Sequence, residues 1–470
     1  MLSLNPSEIF PVSLPNDGID TLGFLRPDFV KLIERQLNEV TQTDHWTHPR
    51  KVKFDTSDPS FWAYLVHKTR SPLVKAQFGS DLEAHFKMFR QSRFNLMPAG
   101  FEIEQTLTLS AVGDLMSTPP YLADAQDKLF LPVEHLIFGA DIAYGNLESM
   151  LAGADKDSAP VRKSDTPYTY ATRAELQSLV RHKAHTFDVL QLANNHVMDF
   201  GEDGVNATLS TLKDFDIEAV GLNPTGSQSW TITSHGDLKI GWVAHTYGLN
   251  GKPQPASHPE FVNVVDYLSE HGPDLTDVLS DIQACRENGC DLVIASVHWG
   301  AEWEFYPLPE QLGWARQFAE AGADAIIGHH PHVIQPVEIY RPRNFSEKHV
   351  PIIYSLGNLT PVLRQAGTVL ALIARLKISR GRREGKPQCY FTALNLIPVA
   401  TVERQVKDQN WLEIHRLADL VRQAAETNLH EDIVEMSEYA TMFFGQQWRN
   451  EERYGTEISI LRGMDHESPL

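Results

Sequence analysis

The sequence predicts an α/β fold built around a largely parallel β-sheet. From Thr106 onward, short apolar runs alternate with amphipathic stretches, a pattern typical of strands separated by helices. Most of the apolar runs end directly on a cluster of polar residues, the position at which open α/β sheets hold their ligands. The chain has 470 residues, 42% of them hydrophobic, which suffices for one large α/β domain with an appendage or for two domains.

The predicted elements follow one another along the chain. Strands are predicted at residues 107–112, 142–146, 187–192, 217–221, 292–297, 325–328 and 352–355. Helices are predicted at residues 29–40, 172–184, 204–215, 274–289 and 309–322, the last ending on Gly322 as a C-cap. Residues 230–246 predict a hairpin that turns at residues 235–237, so we expect the sheet to be mixed.

The two ends of the chain differ from this central part. Residues 1–105 combine helical stretches with Pro-bearing connections and carry no chemical motif. Strand-like runs at 369–378 and 390–399 are separated by a basic loop at 379–386, and a helix is predicted around 411–426. The predicted division is therefore an N-terminal extension (1–105), a main domain (106–400) and a helical C-terminal segment with a polar tail (401–470).

The charge balance limits the possible partners. The formal net charge of -20 argues against general affinity for nucleic acid or anionic membranes. The first 20 residues show neither a basic region nor a long apolar run, so we expect no signal peptide or membrane anchor and a cytoplasmic location. A bound divalent ion would still make a cleft attractive to a small anionic substrate.

Carboxylates follow the first two predicted strands. Asp114 comes after Gly113 at the end of the first strand, and Asn146 and Glu148 come at the end of the second. The spacing of two residues points Asn146 and Glu148 to the same side. The alternatives are an ordinary Gly-Asp turn and a glutamate that solvates a loop.

Imidazoles follow the later strands. Asn195 and His196 end the third strand, and Asp199 is near enough to hold the tautomer of a His196 general acid, although an Asn-rich helix cap is the alternative. His298 ends a strongly apolar strand, where a single histidine is more often structural. Three further histidines occupy four positions after Gly328, for which packing gives little reason; the expected ligand pair is His330 and His332. Imidazole suits zinc, manganese and iron.

Together these clusters predict a site for one or two divalent ions (Mn, Zn or Fe). Two ions carry four positive charges, of which Asp114 and Glu148 neutralise half. The remaining charge favours a phosphate or a developing oxyanion, and a metal-bound water becomes hydroxide near neutral pH. His196 would then protonate the leaving group. The predicted ligands are Asp114, Glu148, Asn195, His298, His330 and His332, and the predicted catalytic pair is His196 and Asp199.

In this order the motifs resemble the CapA family of poly-γ-glutamate capsule-synthesis proteins, which is similar in fold to calcineurin-like metallophosphoesterases. The motifs run over residues 107–358 and comprise Gly113-Asp114, Asn146-Leu147-Glu148, Asn194-Asn195-His196 with Asp199 and Gly201, His298-Trp299-Gly300, Gly328 to His332, and Ser355 to Asn358. The resemblance implies a four-layer sandwich of two mixed β-sheets flanked by helices, with a two-metal site.

The resemblance also implies individual roles. Asp114 stands at the first Asp of the Asp-x-His motif, but Met116 replaces its histidine, so one metal loses a ligand. Asn146 falls at the position of the metal-bridging Asp, which adds it to the ligands, with Glu148 as the substitute carboxylate. Asn195 and His196 resemble the pair that binds metal and protonates the leaving group.

Three functions stay open on this basis. The first is hydrolysis of a small phosphoester by a metal-bound hydroxide. The second is synthesis or hydrolysis of poly-γ-glutamate or γ-glutamyl amides, in which the same metals polarise a carbonyl. The third is a noncatalytic capsule-assembly or binding module. The residues predicted to line a substrate pocket are Lys163, His245, Tyr247, Asn250, His329 and Asn358, with Trp299, Glu302 and Trp303 as a possible wall.

Overall fold

The computed structural model describes most of the chain. The described residues are 14–41, 46–49, 55–91, 96–117, 122–153, 166–224, 226, 228–406, 409–425, 431–445, 448 and 458–459.

Helices occur throughout the described chain. They are α1 (Pro27–Thr41), α2 (Pro59–Arg70), α3 (Leu82–Gln91), α4 (Glu134–Ile137), α5 (Arg173–Val180), α6 (Gly201–Asp214), α7 (Thr276–Glu287), α8 (Pro309–Ala321), α9 (Ala366–Val369), α10 (Leu417–Ala425) and α11 (Glu431–Phe444), with 3-10 helices at Gly18–Phe24 and Ala123–Ala125. Among the described residues, no helix has the length and apolar character needed to cross a bilayer.

The strands are β1 (Phe101–Leu115), β2 (Ile142–Leu147), β3 (Met150–Leu151), β4 (Tyr170–Ala171), β5 (Arg181–His182), β6 (His185–Thr186), β7 (Val189–Gln191), β8 (Glu218–Val220), β9 (Thr231–His235), β10 (Leu238–Thr246), β11 (Leu292–His298), β12 (Ala325–His329), β13 (Val337–Tyr340), β14 (Val350–Ile353), β15 (Asn358–Thr360), β16 (Leu370–Arg383), β17 (Lys386–Val406), β18 (Gln409–Arg416) and β19 (Ile458–Ser459).

Two mixed sheets form the framework. The first has the order β18-β17-β16-β1-β2-β7-β8, with β15 also paired to β1 and β19 to β17; the second has the order β13-β14-β12-β11-β10-β9. In the first sheet β1, β2, β7 and β8 are parallel, and in the second β10, β11, β12 and β14 are parallel. The carboxyl ends of the parallel strands of a sheet therefore lie along one edge.

The main core lies between the two sheets, and further apolar layers cover their outer faces. Tyr144 of β2 stacks on Trp242 of β10, with ring centroids 4.9 Å apart. The other face of the first sheet packs on α5, α6 and residues 122–138, and the second sheet packs on α7 and α8. The predicted fold class, an α/β sandwich of two mixed sheets flanked by helices, is confirmed.

The C-terminal part differs from the prediction. The helix predicted at 411–426 begins only at Leu417, because residues 409–416 form β18. Leu412 and Ile414 alternate with more polar residues and are buried, which is a strand pattern. The predicted basic loop at 379–386 is mostly strand, with a turn at Glu384 and Gly385 between β16 and β17. The boundaries predicted at 105/106 and 400/401 fall inside β1 and β17.

Candidate metal centre and active site

The end of β1 places Asp114 where the two sheets meet. The preceding Gly113 permits this, because a Cβ on it would lie 1.9 Å from the backbone oxygen of Gly357. Any side chain would separate the two segments. The close approach lets the Asp114 N–H donate to that same oxygen at 3.0 Å.

The Asp114 carboxylate is fully buried and held from three sides. Its Oδ1 accepts from the Asn146 amide at 2.8 Å and from His329 Nδ1 at 3.1 Å, while His332 Nδ1 lies 3.2 Å from Oδ2. Burial alone would raise the pKa of Asp114, but the hydrogen bonds from His329 and His332 hold it well below its ordinary value. Asp114 is therefore an anion in the protein interior.

Glu148, just beyond β2, is the second buried carboxylate. Its Oε1 has no hydrogen-bond partner in the described part of the chain and lies 3.5 Å from His298 Nε2 and 3.8 Å from His332 Nε2. Burial raises the pKa of Glu148 to about 8. A buried carboxylate oxygen without a donor, facing imidazole nitrogens, suits a divalent cation, which would favour the ionised form.

Two overlapping groups of ligand atoms form around Glu148. One comprises Glu148, His330 and His332, the other Asp114, Glu148 and His298; within each group the atoms lie within 4.8 Å of one another. Burial lowers the pKa of His298 and His330 well below the ordinary value, so both are neutral, as ligands must be. Burial would also lower the pKa of His332, but the two carboxylates raise it to about 10. A cation bound between these carboxylates would neutralise the charges that raise the pKa of His332, so His332 could then act as a neutral ligand and the donor set fits a metal centre.

The backbone carrying the histidine pair adopts an uncommon conformation. His330 and His332 have φ values of 95° and 57°, in the left-handed region that non-glycine residues rarely occupy. His330 Nδ1 is buried and has no hydrogen-bond partner among the described residues. The His330 ring packs on the Tyr247 ring, with the two ring centroids 4.5 Å apart. Such strain is typical of functional segments that the surrounding structure holds in place.

A second group of residues holds His196. Its Nδ1 lies 2.8 Å from Asp199 Oδ2, and the other oxygen of Asp199 accepts from the Lys252 ammonium. Lys252 also donates to the backbone oxygen of Pro167 at 2.8 Å. His196 therefore has one ring nitrogen committed to an anchored carboxylate, which leaves Nε2 available for proton transfer.

Asn195 connects the metal-ligand candidates with the residues around His196. Its Oδ1 lies 2.8 Å from His298 Nε2, and its amide donates to Asn250 Oδ1 at 3.3 Å. The Tyr247 hydroxyl donates to the same Asn250 oxygen at 3.2 Å. Asn358 holds the other side of the cluster, because its Oδ1 lies 2.8 Å from His332 Nδ1.

A cavity of about 400 Å³ opens onto this cluster. His196, His332 and Asn250 line one part of it, and Met116 lines the wall where the resemblance would place a histidine ligand. Glu302 and Trp303 also line it, as the sequence suggested, whereas Trp299 is fully buried and hydrogen-bonded to Tyr354. A substrate in this cavity would contact His196 and, of the metal-ligand candidates, His332.

Three predicted residues have other placements. His245 lies on the opposite face of the sheet from His298, where it bonds the Tyr267 hydroxyl and packs on Phe318 of α8, so its prediction as a substrate residue is wrong. His329 bridges Asp114 and the Tyr144 hydroxyl in the core instead of lining the cavity. Lys163 lies outside the described residues.

Asn146 holds the Asp114 carboxylate in place. It donates its amide to Asp114, and its Oδ1 accepts from Asn194 at 3.2 Å. Its role as a metal ligand stays a prediction. Two supporting residues have no role predicted from the sequence. Asn194 also donates to the Leu147 backbone oxygen, and Lys252 donates to Asp199. The repeated asparagine at 194 and 195 could have indicated a role for Asn194, but the sequence around Lys252 contains no motif that indicates a role for Lys252.

The fold and the cluster together define an α/β protein with buried imidazoles and carboxylates where its two sheets meet. The chain belongs to the family described as bacterial capsule synthesis protein PGA_cap, whose model matches residues 108–361. It is 27% identical over 324 residues to the capsule biosynthesis protein CapA of Bacillus anthracis, covering 63% of this chain and 73% of the relative.

Two further comparisons give more distant or shorter matches. The PGA biosynthesis protein CapA of Bacillus subtilis (strain 168) is 28% identical over 263 residues, covering 54% of this chain and 63%, less than two thirds, of the relative. A crystal structure of a Staphylococcus aureus protein assigned as a 5′-nucleotidase has a TM-score of 0.35 and 13% identity, covering 61% of this chain and 54% of that one. So low a structural similarity carries no argument about chemistry.

Proposed function

We propose that this protein is a metal-dependent hydrolase that cleaves a phosphoester of a small anionic substrate. The observation that supports this most directly is Glu148, which belongs to both groups of candidate ligands and has one buried oxygen without a hydrogen-bond partner among the described residues. Asp114, His298, His330 and His332 complete those groups, and together with Glu148 they would hold one or two divalent ions. A divalent ion there would supply a Lewis acid that binds anionic oxygen and activates water.

His196 supplies the proton in the proposed reaction. Water attacks phosphorus, the ester P–O bond breaks, and the leaving oxygen takes the proton from His196 Nε2. One proton of the attacking water stays on the phosphate product, and the other is released to solvent, from which His196 is reprotonated. Asp199 accepts the hydrogen bond from Nδ1 and so keeps the other nitrogen directed to the substrate. Asn195, fixed between His298 and Asn250, orients the substrate beside the ligands.

Metal content and phosphate release test this proposal together. Elemental analysis of the purified protein should find one or two divalent ions per chain, and added Mn, Zn or Fe should support phosphate release. The variant Glu148→Gln should lose both properties, whereas Glu403→Gln, a buried carboxylate on β17, should keep them. A metal-free protein that releases no phosphate from any phosphoester would refute the proposal.

Family membership favours a second candidate, the synthesis or hydrolysis of γ-glutamyl amides in a capsule pathway. Two of the relatives are named for capsule or PGA biosynthesis. In this case the same residues would act on an amide carbonyl. Turnover of γ-glutamyl oligomers without phosphate release would favour it, and activity on neither substrate by a metal-loaded protein would favour an assembly role. The cytoplasm stays our proposed location, which cell fractionation would test.

A further inference from the structure

The N-terminal part of the chain supplies an apolar wall of the cavity beside the metal-ligand candidates. Phe24 from the first 3-10 helix and Phe61, Trp62 and Leu65 from α2 line it. These residues precede the family match, which begins at residue 108. Phe24 and Trp62 pack edge to face with ring centroids 5.7 Å apart, so the wall is a continuous aromatic surface.

Buried polar contacts hold this wall against the main domain. Lys68 of α2 donates to Glu304 Oε1 at 3.0 Å, and the Tyr64 hydroxyl donates to the same oxygen at 3.0 Å. The side chains of Lys68 and Glu304 are 2% and 1% exposed. Because a buried charge is costly unless it is paired, α2 is fixed where its aromatic residues face the cavity.

Two buried hydrogen-bond donors on the cavity wall have no acceptor among the residues that the structure describes. They are Asn250 Nδ2 and Trp303 Nε1, and both atoms are buried. The other end of the Asn250 amide is already used, because Asn195 and Tyr247 both donate to its Oδ1. A buried donor without an acceptor is unfavourable, so both are suited to acceptor atoms of a ligand.

The charges around the cavity narrow the choice of ligand further. Among the described residues that line it, none is Lys or Arg, and Asp20 and Glu302 are acidic. Within the described part of the chain, the cavity wall therefore offers no Lys or Arg to a second anionic group on the substrate. A volume of about 400 Å³ lies within the ordinary range for a small-molecule site.

We infer that this cavity is a subsite for an uncharged aromatic group, joined through an oxygen-bearing link to the anionic group that the cluster binds. The inference rests on the proposed function for the location of the anionic group. The aromatic ring lies against Phe24 and Trp62, and the link accepts hydrogen bonds from Asn250 and Trp303. The substrate class is thus an aryl ester, as opposed to a sugar phosphate or a polyanion.

Calorimetric binding of two phosphonates to the metal-loaded protein tests the subsite without requiring turnover. Phenylphosphonate should bind roughly tenfold more tightly than methylphosphonate, because only the former buries an aromatic ring. The variants Phe24→Ala and Trp62→Ala should each remove most of that preference while leaving methylphosphonate affinity unchanged. Phe78→Ala, at a phenylalanine that is 84% exposed and outside the cavity, is the matched control and should keep it.

The outcomes separate this inference from the proposed function. Equal affinities, binding of neither phosphonate, or a preference that persists in both folded variants would overturn the subsite. Phosphate release with no aromatic preference would leave the hydrolase proposal standing alone. Conversely, absence of hydrolysis with an intact, Phe24-dependent preference for phenylphosphonate would refute the hydrolase and support the subsite. Near-ultraviolet circular dichroism identifies a variant that fails to fold, and the two substitutions lie in different helices.

Discussion

The hydrogen bonds of His196 make its proposed role open to a specific test. Nδ1 is committed to Asp199, whose second oxygen is held by Lys252. Replacing Asp199 by Asn keeps the shape but removes the charge that stabilises a protonated imidazole. We expect kcat for an alkyl phosphate to fall roughly 10²-fold, and kcat for 4-nitrophenyl phosphate to fall far less, because nitrophenolate leaves without a proton.

One control variant accompanies this substitution. Asp203→Asn, on the exposed face of α6, should leave both rates unchanged. An equal loss of kcat for both substrates would contradict the role of His196 as a general acid. Asp199 would then have only a structural role.

The burial of His245, which lies away from the cavity, predicts that the free energy of unfolding depends on pH. Burial lowers its pKa to about 3 from an ordinary value of 6.5, so the folded protein keeps it neutral where the unfolded chain protonates it. Its stabilising contribution is complete above pH 6.5 and declines as the pH falls toward 3. Between pH 7 and pH 5 the wild type should lose on the order of 2 kcal/mol more than His245→Gln.

Urea unfolding with a chelator present measures this difference, because bound metal then adds no pH dependence. His271→Gln, at an exposed histidine, should follow the wild type at both pH values. Identical slopes for the wild type and His245→Gln would show that this imidazole is not held neutral.

Residue types at strand ends were predictable, but their individual contacts were not. The polar clusters could be assigned to one site because parallel strands bring their carboxyl ends together. Which of the three histidines lines the cavity depends on the backbone after β12, which enters the left-handed region at His330 and His332, and it is His332 that lines the cavity. Nothing in the order of three histidines predicts that turn, so His329 was assigned to the substrate although it holds Asp114.

At the scale of elements, the contact of α2 with the main domain rests on the Lys68–Glu304 pair. Replacing Lys68 by Met leaves Glu304 buried without its cation, so we expect the free energy of unfolding to fall by about 3–5 kcal/mol. The double variant Lys68→Met/Glu304→Gln should recover much of this loss, because no unpaired charge remains. Urea unfolding of the four proteins of this cycle gives the coupling energy.

An exposed pair provides the comparison for this cycle. Lys183 and Glu134 form an ion pair whose side chains are 49% and 40% exposed, and Lys183→Met should reduce the free energy of unfolding far less than Lys68→Met does. If Lys68→Met costs as little, α2 is not fixed by this pair, and the aromatic wall loses its proposed anchor.

Most of the helices and strands could be predicted from the sequence, whereas the elements against which they pack could not. Continuous apolar runs identified β2, β7, β11, β12 and β14, because their residues are buried, whereas β13 and β15 of the same two sheets were not predicted. The residues of β18 were assigned to a helix since Trp411, Leu412 and Ile414 fit either period over so short a stretch. The aromatic run of α2 gave no sign of its partner, because the cavity it lines is formed by residues distant in the sequence.

At the scale of the whole molecule, the candidate metal centre joins the two sheets. Asp114 and Glu148 come from the first sheet, and His298, His330 and His332 come from the second. An ion held by both sets binds the folded chain but not the unfolded one. With free Mn at about one hundred times its dissociation constant, the stabilisation is about 2.7 kcal/mol, and Tm should rise by roughly 3 °C for a chain of this size.

The same experiment distinguishes an ion shared between the sheets from one held by a single sheet. If the ion links both, calorimetry should show the main unfolding transition shifting as one unit, since neither sheet can separate without releasing the ligands. Glu148→Gln removes the residue common to both ligand groups, so its Tm should not respond to Mn, whereas Glu403→Gln should respond as the wild type does. A Mn-induced shift that survives in Glu148→Gln would show that the stabilising ion binds elsewhere.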